Sequence, residues 1–175
     1  MIKNRFSKMR LISMLFFLCV VFTEVSAQTT GTLLKDITPE NINEVVNSYQ
    51  GEKAVLINVW ATWCAPCVEE FPEIVKLQRN YPDKLKVIFI SADFPKSRQK
   101  ALKFLKKQEV DWTTYFKTGK DEAFINAISE DWTGALPFSK ILSIQGEVVD
   151  SWEQKASYKK FERHIKTAIN KSVDL

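Results

Sequence analysis

The segment that decides the fold is residues 54–67, AVLINVWATWCAPC. Its first half, Ala54–Trp60, is a nearly continuous apolar run, which is typical of a strand covered on both faces of a sheet. A short loop follows, and a helix is expected to begin at or just after Cys64. Two cysteines three apart at a helix start face the same way and lie close enough to form a disulfide. The segment therefore predicts a central strand that delivers a cysteine pair to a helix N-terminus.

Cys64 and Cys67 differ in their expected chemistry. Free N–H groups and the dipole at a helix N-terminus favour a thiolate, so Cys64 is the predicted nucleophile. Cys67 lies one turn further in and should be more buried, which suits a resolving thiol that attacks the mixed disulfide formed by Cys64. Pro66 fits the first turn, where a missing N–H costs nothing, and it stiffens the loop between the sulfurs. The pair predicts thiol-disulfide exchange.

Strands and helices alternate along the rest of the chain, which predicts an α/β fold with one mixed sheet. Strands are expected at residues 32–37, 54–60, 85–92, 112–116, 137–143 and 147–152, the last two joined by a hairpin turn at 144–146. Helices are expected at residues 39–49, 69–80 with a kink at Pro72, 96–108, 121–132 and 158–169. No repeat or long linker divides these elements, so residues 28–175 should form one domain.

Residues 1–27 have the pattern of a secretory signal peptide. Basic residues precede the apolar run Leu11–Phe22, and small residues then predict cleavage after Ala27. The run is shorter than the roughly 20 residues of a membrane span, and an uncleaved anchor is the alternative. Cleavage would lower the formal net charge from +4 to +1 and remove Cys19. The mature protein would then have two cysteines, no stable membrane span and no basic stripe for nucleic acid.

The segment 63–67, WCAPC, resembles the thioredoxin superfamily, whose members carry Trp-Cys-x-x-Cys after the central strand and a cis-proline that packs against the disulfide. Residues 131–138, DWTGALPF, are similar to the cis-proline segment of that family. The resemblance implies a thioredoxin-like fold in which Pro137 is the cis-proline and Leu136 pairs with the substrate chain as an added strand. It also implies that Trp63, Ala65 and Pro66 shape the substrate groove.

About 45 residues separate Ala92 from Pro137, which leaves room for an inserted helix, strand and second helix before the cis-proline. This insertion, and the residues CVEEFP at the site, resemble exported proteins of the TlpA/ResA type. Three positions depart from the family patterns. Asn58 replaces the buried aspartate that helps deprotonate the resolving cysteine in thioredoxins, Ala65 replaces a glutamate found in some TlpA/ResA-type proteins, and Phe138 replaces a threonine. No obvious carboxylate takes over from either acidic group.

The resemblance implies a periplasmic or otherwise extracytoplasmic thiol-disulfide oxidoreductase. The residues Ala65 and Pro66 lack the histidine found between the cysteines of oxidising relatives, which favours a reductant over an oxidase or isomerase. Cytochrome c maturation and general repair of exported proteins are the implied settings. The expected partners are exported protein substrates and a membrane thiol electron donor, and no cofactor beyond the Cys64–Cys67 disulfide is expected.

Other interpretations of the cysteine pair remain open. A structural disulfide would close a loop of only four residues and would restrain the unfolded chain little. A metal site needs further ligands, and the single histidine, His164, lies on the predicted terminal helix. A peroxidase of the peroxiredoxin type would place its cysteine in a Pro-x-x-x-Thr-x-x-Cys setting, which is absent around Cys64.

Overall fold

The computed structural model describes residues 33–171 of the chain, and the expected signal peptide at residues 1–27 lies outside them. Within the described part the elements follow the order β1 (Leu34–Ile37), α1 (Ile42–Asn47), β2 (Ala54–Trp60), α2 (Ala65–Asn80), β3 (Leu85–Ser91), α3 (Arg98–Lys107), β4 (Thr114–Lys117), α4 (Asp121–Ile128), β5 (Phe138–Leu142), β6 (Val148–Glu153) and α5 (Tyr158–Asn170). One turn of 3-10 helix, Pro95–Ser97, precedes α3. The predicted alternation of strands and helices is confirmed.

The strands form one mixed sheet in the order β1-β4-β3-β2-β5-β6. The first four strands of this order run parallel to one another, whereas β5 is antiparallel to both β2 and β6. Every residue of β2 is buried, as its continuous apolar sequence predicts. The segment between β3 and β5 contains α3, β4 and α4, so the predicted inserted helix, strand and helix are confirmed.

Helices cover both faces of the sheet. Side chains of β2 alternate between the faces, with Leu56 and Trp60 in one apolar cluster and Val55, Ile57 and Val59 in the other. The first cluster also contains buried residues of α2, α3 and α5, and the second contains those of α1 and α4. None of the helices within residues 33–171 is both long enough and apolar enough to cross a bilayer.

Several element boundaries differ from the predicted ones. α1 begins at Ile42 rather than at Pro39, because residues 38–41 form a turn in which the Asn41 side chain accepts a hydrogen bond from the Thr38 N–H. α4 ends at Ile128 rather than at Trp132, because Ser129 is extended. α2, in contrast, begins at Ala65, as predicted for a helix that starts at or just after Cys64, although helical composition is evident only from Glu69. Tertiary and capping contacts, rather than composition, decide these ends.

Candidate active site

The connection from β2 to α2 presents the cysteine pair. Cys64 has an extended backbone and occupies the N-cap position of α2, and its Sγ lies 3.3 Å from the backbone N of Cys67, which donates a hydrogen bond to it. The two sulfurs form a disulfide with an S–S distance of 2.03 Å, and the Cα atoms are 5.3 Å apart. Pro66 lies in the first turn, where no intrahelical partner is lost. The backbone N–H groups at the N-terminus of α2 therefore point towards the sulfur of Cys64.

The cysteines and their neighbours differ in exposure. Cys64 is 6% exposed and Cys67 is 1% exposed, so Cys67 is the more buried cysteine, as predicted. Ala65 and Pro66 are exposed in the first turn, and Trp63 is 56% exposed. The exposed residues next to the pair are therefore Trp63, Ala65 and Pro66. The neighbouring Trp60 is buried in the core, which agrees with a packing role for that side chain.

Asp93 holds the loop that carries Cys64, and the sequence interpretation did not single it out. Its buried carboxylate accepts hydrogen bonds from the Thr62 backbone N at 3.0 Å, the Thr62 hydroxyl at 2.6 Å and the Ser91 hydroxyl at 2.9 Å. The Ala92 N–H also donates to the Trp60 carbonyl at 2.7 Å. The sequence offered one signal for this role, because Asp93 directly follows the buried strand predicted at residues 85–92. Asp93 thus fixes the position from which α2 starts.

The loop before β5 contains a cis peptide bond between Leu136 and Pro137, at the position that the family resemblance implies. The Trp132 indole donates to the Ala135 carbonyl at 2.8 Å, and the Glu153 carboxylate accepts from the backbone N of Thr133 at 2.7 Å. Within residues 33–171, no hydrogen bond involves the N–H or the carbonyl of Leu136. A well-anchored loop therefore presents Leu136 with free backbone groups.

A buried carboxylate, which the sequence interpretation did not assign to the site, lies three residues after Cys67 on α2. Glu70, on α2, is 2% exposed, and its two oxygens accept from Asn58 Nδ2 at 3.0 Å and from the Ala156 backbone N at 2.8 Å. Asn58 Nδ2 also donates to Ser139 Oγ at 3.1 Å, whereas Asn58 Oδ1 is buried without a partner. The sequence placed Glu70 near the helix N-terminus but could not show its burial.

Burial dominates the electrostatics of Glu70. The cost of removing its charged form from water raises the pKa of Glu70 to about 7. The hydrogen bonds from Ala156 and Asn58, and the positive charges of Lys155 and Lys160, oppose this shift in pKa without cancelling it. A carboxyl with such a pKa can both accept and release a proton near neutral pH.

The remaining candidates lie outside this site. His164, on α5, is a boundary residue whose Nε2 lies 3.4 Å from Asp150 Oδ2, and burial lowers its pKa. The described residues contain no group of three or more histidine, cysteine, aspartate or glutamate side chains placed to hold a metal ion. The lysines at positions 96, 100, 103, 106 and 107 are exposed to solvent. None of these residues joins the cysteine pair.

Comparison with known proteins agrees with this geometry. The sequence profile of the Redoxin family matches residues 27–158. Thiol-disulfide oxidoreductase ResA of Bacillus thuringiensis subsp. konkukian is 25% identical over 174 residues, which cover 94% of this chain and 96% of ResA. Thioredoxin-like protein YneN of Bacillus subtilis is 54% identical over 39 residues, which cover 22% of this chain and only 23% of YneN.

Among solved structures, a thiol:disulfide interchange protein of the thioredoxin family from Chlorobium tepidum TLS superposes with a TM-score of 0.60. It is 25% identical in sequence, and the match covers 70% of this chain and 83% of that chain. The fold, the disulfide at the start of α2 and the family match agree. The chain belongs to the Redoxin family and is a thioredoxin-like thiol-disulfide oxidoreductase of the TlpA/ResA type.

Proposed function

We propose that this protein is an extracytoplasmic dithiol reductant that reduces disulfides of exported proteins. The observation that carries the exchange chemistry is the asymmetry of the cysteine pair, and the absence of a histidine at Ala65 and Pro66 favours a reductant over an oxidase. Cys64 caps the N-terminus of α2, where its sulfur accepts a hydrogen bond, and Cys67 is almost fully buried one turn further along. A helix N-terminus stabilises a thiolate, so the less buried cysteine is also the one with the more reactive sulfur.

The chemistry proceeds by two exchanges in the reduced protein. The Cys64 thiolate attacks one sulfur of a substrate disulfide, and the other substrate sulfur leaves as a thiolate that takes a proton from water. Cys67 then loses its proton and attacks Cys64 Sγ, which releases the second substrate sulfur as a thiolate that is protonated in turn. Two electrons pass to the substrate, and the Cys64–Cys67 disulfide remains. A membrane dithiol donor must reduce this disulfide before the next turnover.

Glu70 is the proposed proton acceptor for Cys67. The two residues are three apart on α2, so their side chains share one face of the helix, and both are buried. A pKa of about 7 suits a group that must take a proton at neutral pH. Glu70 would thus perform the task that a buried aspartate at the position of Asn58 performs in thioredoxins.

The proposed location and setting rest on the sequence. The signal-like pattern of residues 1–27 supports export, and likeness to ResA over nearly the whole chain supports a role outside the cytoplasm. Cytochrome c maturation, in which apocytochrome cysteines must be reduced before haem attaches, is one such role. General repair of exported disulfides is the other. Leu136, next to Pro137, would pair with the substrate chain through its free backbone groups.

The reduction potential of the cysteine pair tests the direction of electron flow. The purified protein is equilibrated in defined thiol buffers, and alkylation reports the reduced fraction of Cys64 and Cys67. Thioredoxin-fold proteins span about −270 to −120 mV. A value below about −220 mV would support a reductant, and one above about −180 mV would indicate an oxidase or isomerase. A pair that never cycles reversibly would contradict the redox function and leave a structural disulfide.

A trapping experiment tests the roles of the two cysteines. Cys67→Ser should accumulate substrates as stable mixed disulfides on Cys64, because the second exchange cannot occur. Cys64→Ser is the matched control and should trap few substrates, because its remaining thiol is buried. The assignment of nucleophile and resolving thiol would be reversed if only Cys64→Ser formed mixed disulfides.

A further inference from the structure

A row of lysines runs along the exposed side of α3 and of the 3-10 turn before it. Each member of the row lies three or four residues from another member, which is the spacing of side chains on one side of a helix. The buried residues of α3, Ala101 and Leu105, lie on the other side of the helix. All members of the row are exposed to solvent. We define the lysine face as the side chains of Lys96, Lys100, Lys103, Lys106 and Lys107.

The lysine face has no compensating negative charge. Residues 94–108 contain six basic side chains and no aspartate or glutamate. Within residues 33–171, none of the five lysines takes part in an ion pair or a side-chain hydrogen bond. The sixth basic residue, Arg98, pairs with Asp36. The nearly neutral total charge of residues 28–175 therefore conceals a strong excess of positive charge on one helix.

The acidic residues that flank this segment have other partners. Asp93, just before it, is buried and accepts hydrogen bonds from Thr62 and Ser91. Glu109, just after it, forms an ion pair with Arg79, with 3.5 Å between Arg79 Nη2 and Glu109 Oε2. Like charges three and four residues apart destabilise a helix. The lysine face thus lowers the stability of α3, and no ion pair in the described part of the chain offsets this effect.

The composition of the lysine face favours a charged membrane surface over an acidic protein. The centres of protein interfaces are depleted in lysine and enriched in arginine and aromatic residues. The aromatic residue of α3, Phe104, is not available as such an anchor, because it packs against Trp60 and Phe71. A lysine ammonium group is strongly hydrated, so it can gain from a layer of lipid phosphates without a close fit.

An exposed aromatic side chain lies at the N-terminal end of the lysine face. Phe94 directly precedes the 3-10 turn and is 61% exposed. Clustered lysines next to an aromatic side chain are typical of segments that lie on the surface of a bilayer. The ring of Phe94 stacks on that of Trp63, with centroids 6.4 Å apart. Phe94 therefore offers an apolar contact at the end of the lysine face that is nearer to the cysteine pair.

We propose that the lysine face, together with Phe94, binds reversibly to membranes that contain anionic phospholipids. This inference goes beyond the proposed function and does not depend on it. The contact is also separate from the predicted signal peptide at residues 1–27. For a reductant that draws electrons from a membrane dithiol donor, such binding would keep Cys64 close to the membrane that holds the donor.

Vesicle sedimentation tests the proposal. Residues 33–171 contain the whole sheet and both of its apolar clusters, so the protein is purified from residue 28 onward to remove the apolar run Leu11–Phe22. It is mixed with vesicles of phosphatidylcholine, either alone or with phosphatidylglycerol as a third of the lipid. Binding should require phosphatidylglycerol. It should be lost when salt rises from about 0.1 M to about 1 M, because the Debye length falls from about 10 Å to about 3 Å. Equal binding to both vesicles, or binding to neither, would overturn the proposal.

Matched double variants connect the binding to the lysine face. Lys100→Gln with Lys103→Gln should weaken binding to the anionic vesicles about 25-fold, since each lysine near such a surface adds about fivefold to the affinity. Lys84→Gln with Lys159→Gln removes the same charge from exposed lysines outside the lysine face, and it should bind within about twofold of wild type. All four changes are at the surface and should leave the fold intact. Equal losses in the two double variants would show that total charge drives binding and would overturn the proposal.

A soluble polyanion separates a membrane partner from an acidic protein partner. Polyglutamate carries dense negative charge without lipid, and it should compete only weakly with the anionic vesicles. Phe94→Ser should weaken vesicle binding about fivefold, because it removes the apolar contact. Binding to polyglutamate as tight as binding to the vesicles would assign the lysine face to acidic proteins instead. Unchanged vesicle binding by Phe94→Ser would likewise contradict the proposed membrane contact.

Discussion

Glu70 shows how one buried residue changes the chemistry of a site. A carboxylate normally stays in water, and Glu70 is buried with only two neutral donors on its oxygens. Its nearest acidic neighbour in sequence, Glu69, is exposed and forms an ion pair with Lys155 at 2.5 Å. Adjacent residues of the same type therefore have different tasks. Glu69 forms an ion pair at the surface, whereas Glu70 is buried and its pKa is raised to about 7.

The raised pKa of Glu70 predicts a specific dependence of stability on pH. Between its ordinary value of 4.5 and about 7, the folded protein keeps a proton that the unfolded chain has released. The free energy of unfolding must therefore fall as pH rises through this window, by about 3 kcal/mol in total. Glu70→Gln removes this contribution, so the stability of the variant relative to wild type should rise by that amount between pH 4.5 and 8.

Urea denaturation of both proteins across this range measures the difference. Glutamine can keep the network, because rotation of the Asn58 amide would offer its unpartnered Oδ1 to the new amide group. Glu69→Gln is the matched surface control and should leave the pH dependence of the wild type in place. A Glu70→Gln curve parallel to that of wild type would show that folding does not raise the pKa of Glu70.

At the scale of elements, the loop from β2 to α2 decides where Cys64 lies. The loop is short, and its conformation depends on contacts with the end of β3 rather than on its own residues. Asp93 provides those contacts through the backbone and side chain of Thr62. The position of Cys64, the proposed nucleophile, thus depends on the pairing of two neighbouring parallel strands.

Asp93→Ala should lower the free energy of unfolding by about 1–3 kcal/mol, because it leaves donors of Thr62 and Ser91 without their acceptor. Chemical denaturation gives this value, and the rate of glutathione disulfide reduction should fall as the loop loses its anchor. Asp111→Ala changes an exposed aspartate and serves as the control for a lost surface charge. An Asp93→Ala protein as stable and active as the control would rule out the anchoring role.

For the whole molecule, the two apolar clusters on the faces of the sheet supply most of the stability. The cluster with α2 is built around aromatic side chains. Phe71 stacks on Phe89 with ring centroids 4.0 Å apart. It also makes edge-to-face contacts with Trp60 and Phe104, each with ring centroids 4.9 Å apart. This cluster ties α2, which carries the cysteine pair, to the centre of the sheet.

Phe71→Ala should destabilise the protein by about 3–5 kcal/mol, since it opens a cavity at a fully buried aromatic site. Phe94→Ala is the matched exposed control and should change the free energy of unfolding by less than about 0.5 kcal/mol. Urea or thermal unfolding measures both. Similar losses in the two variants would mean that Phe94 packs as tightly as Phe71 and would contradict its exposure.

The sequence by itself determined the features that depend on local pattern. The apolar run of β2 required burial on both faces, and the spacing of Cys64 and Cys67 at a helix start required two sulfurs on one side of one turn. The helix, strand and helix between β3 and β5 were also predicted from local pattern, with ends that differ by a few residues. Each of these features follows from residues that are neighbours in the chain, where periodicity and capping chemistry act directly.

Only the tertiary structure decided the burial of Glu70, the anchoring of Thr62 by Asp93 and the assembly of a pocket lined by Trp63, residues of α4 and Leu136. The Ala156 N–H that holds Glu70 lies 86 residues away, and Asp93 lies 31 residues from Thr62. Whether a glutamate is solvated or buried depends on which distant segments pack over it. Those segments come together only when the sheet and its helices have packed.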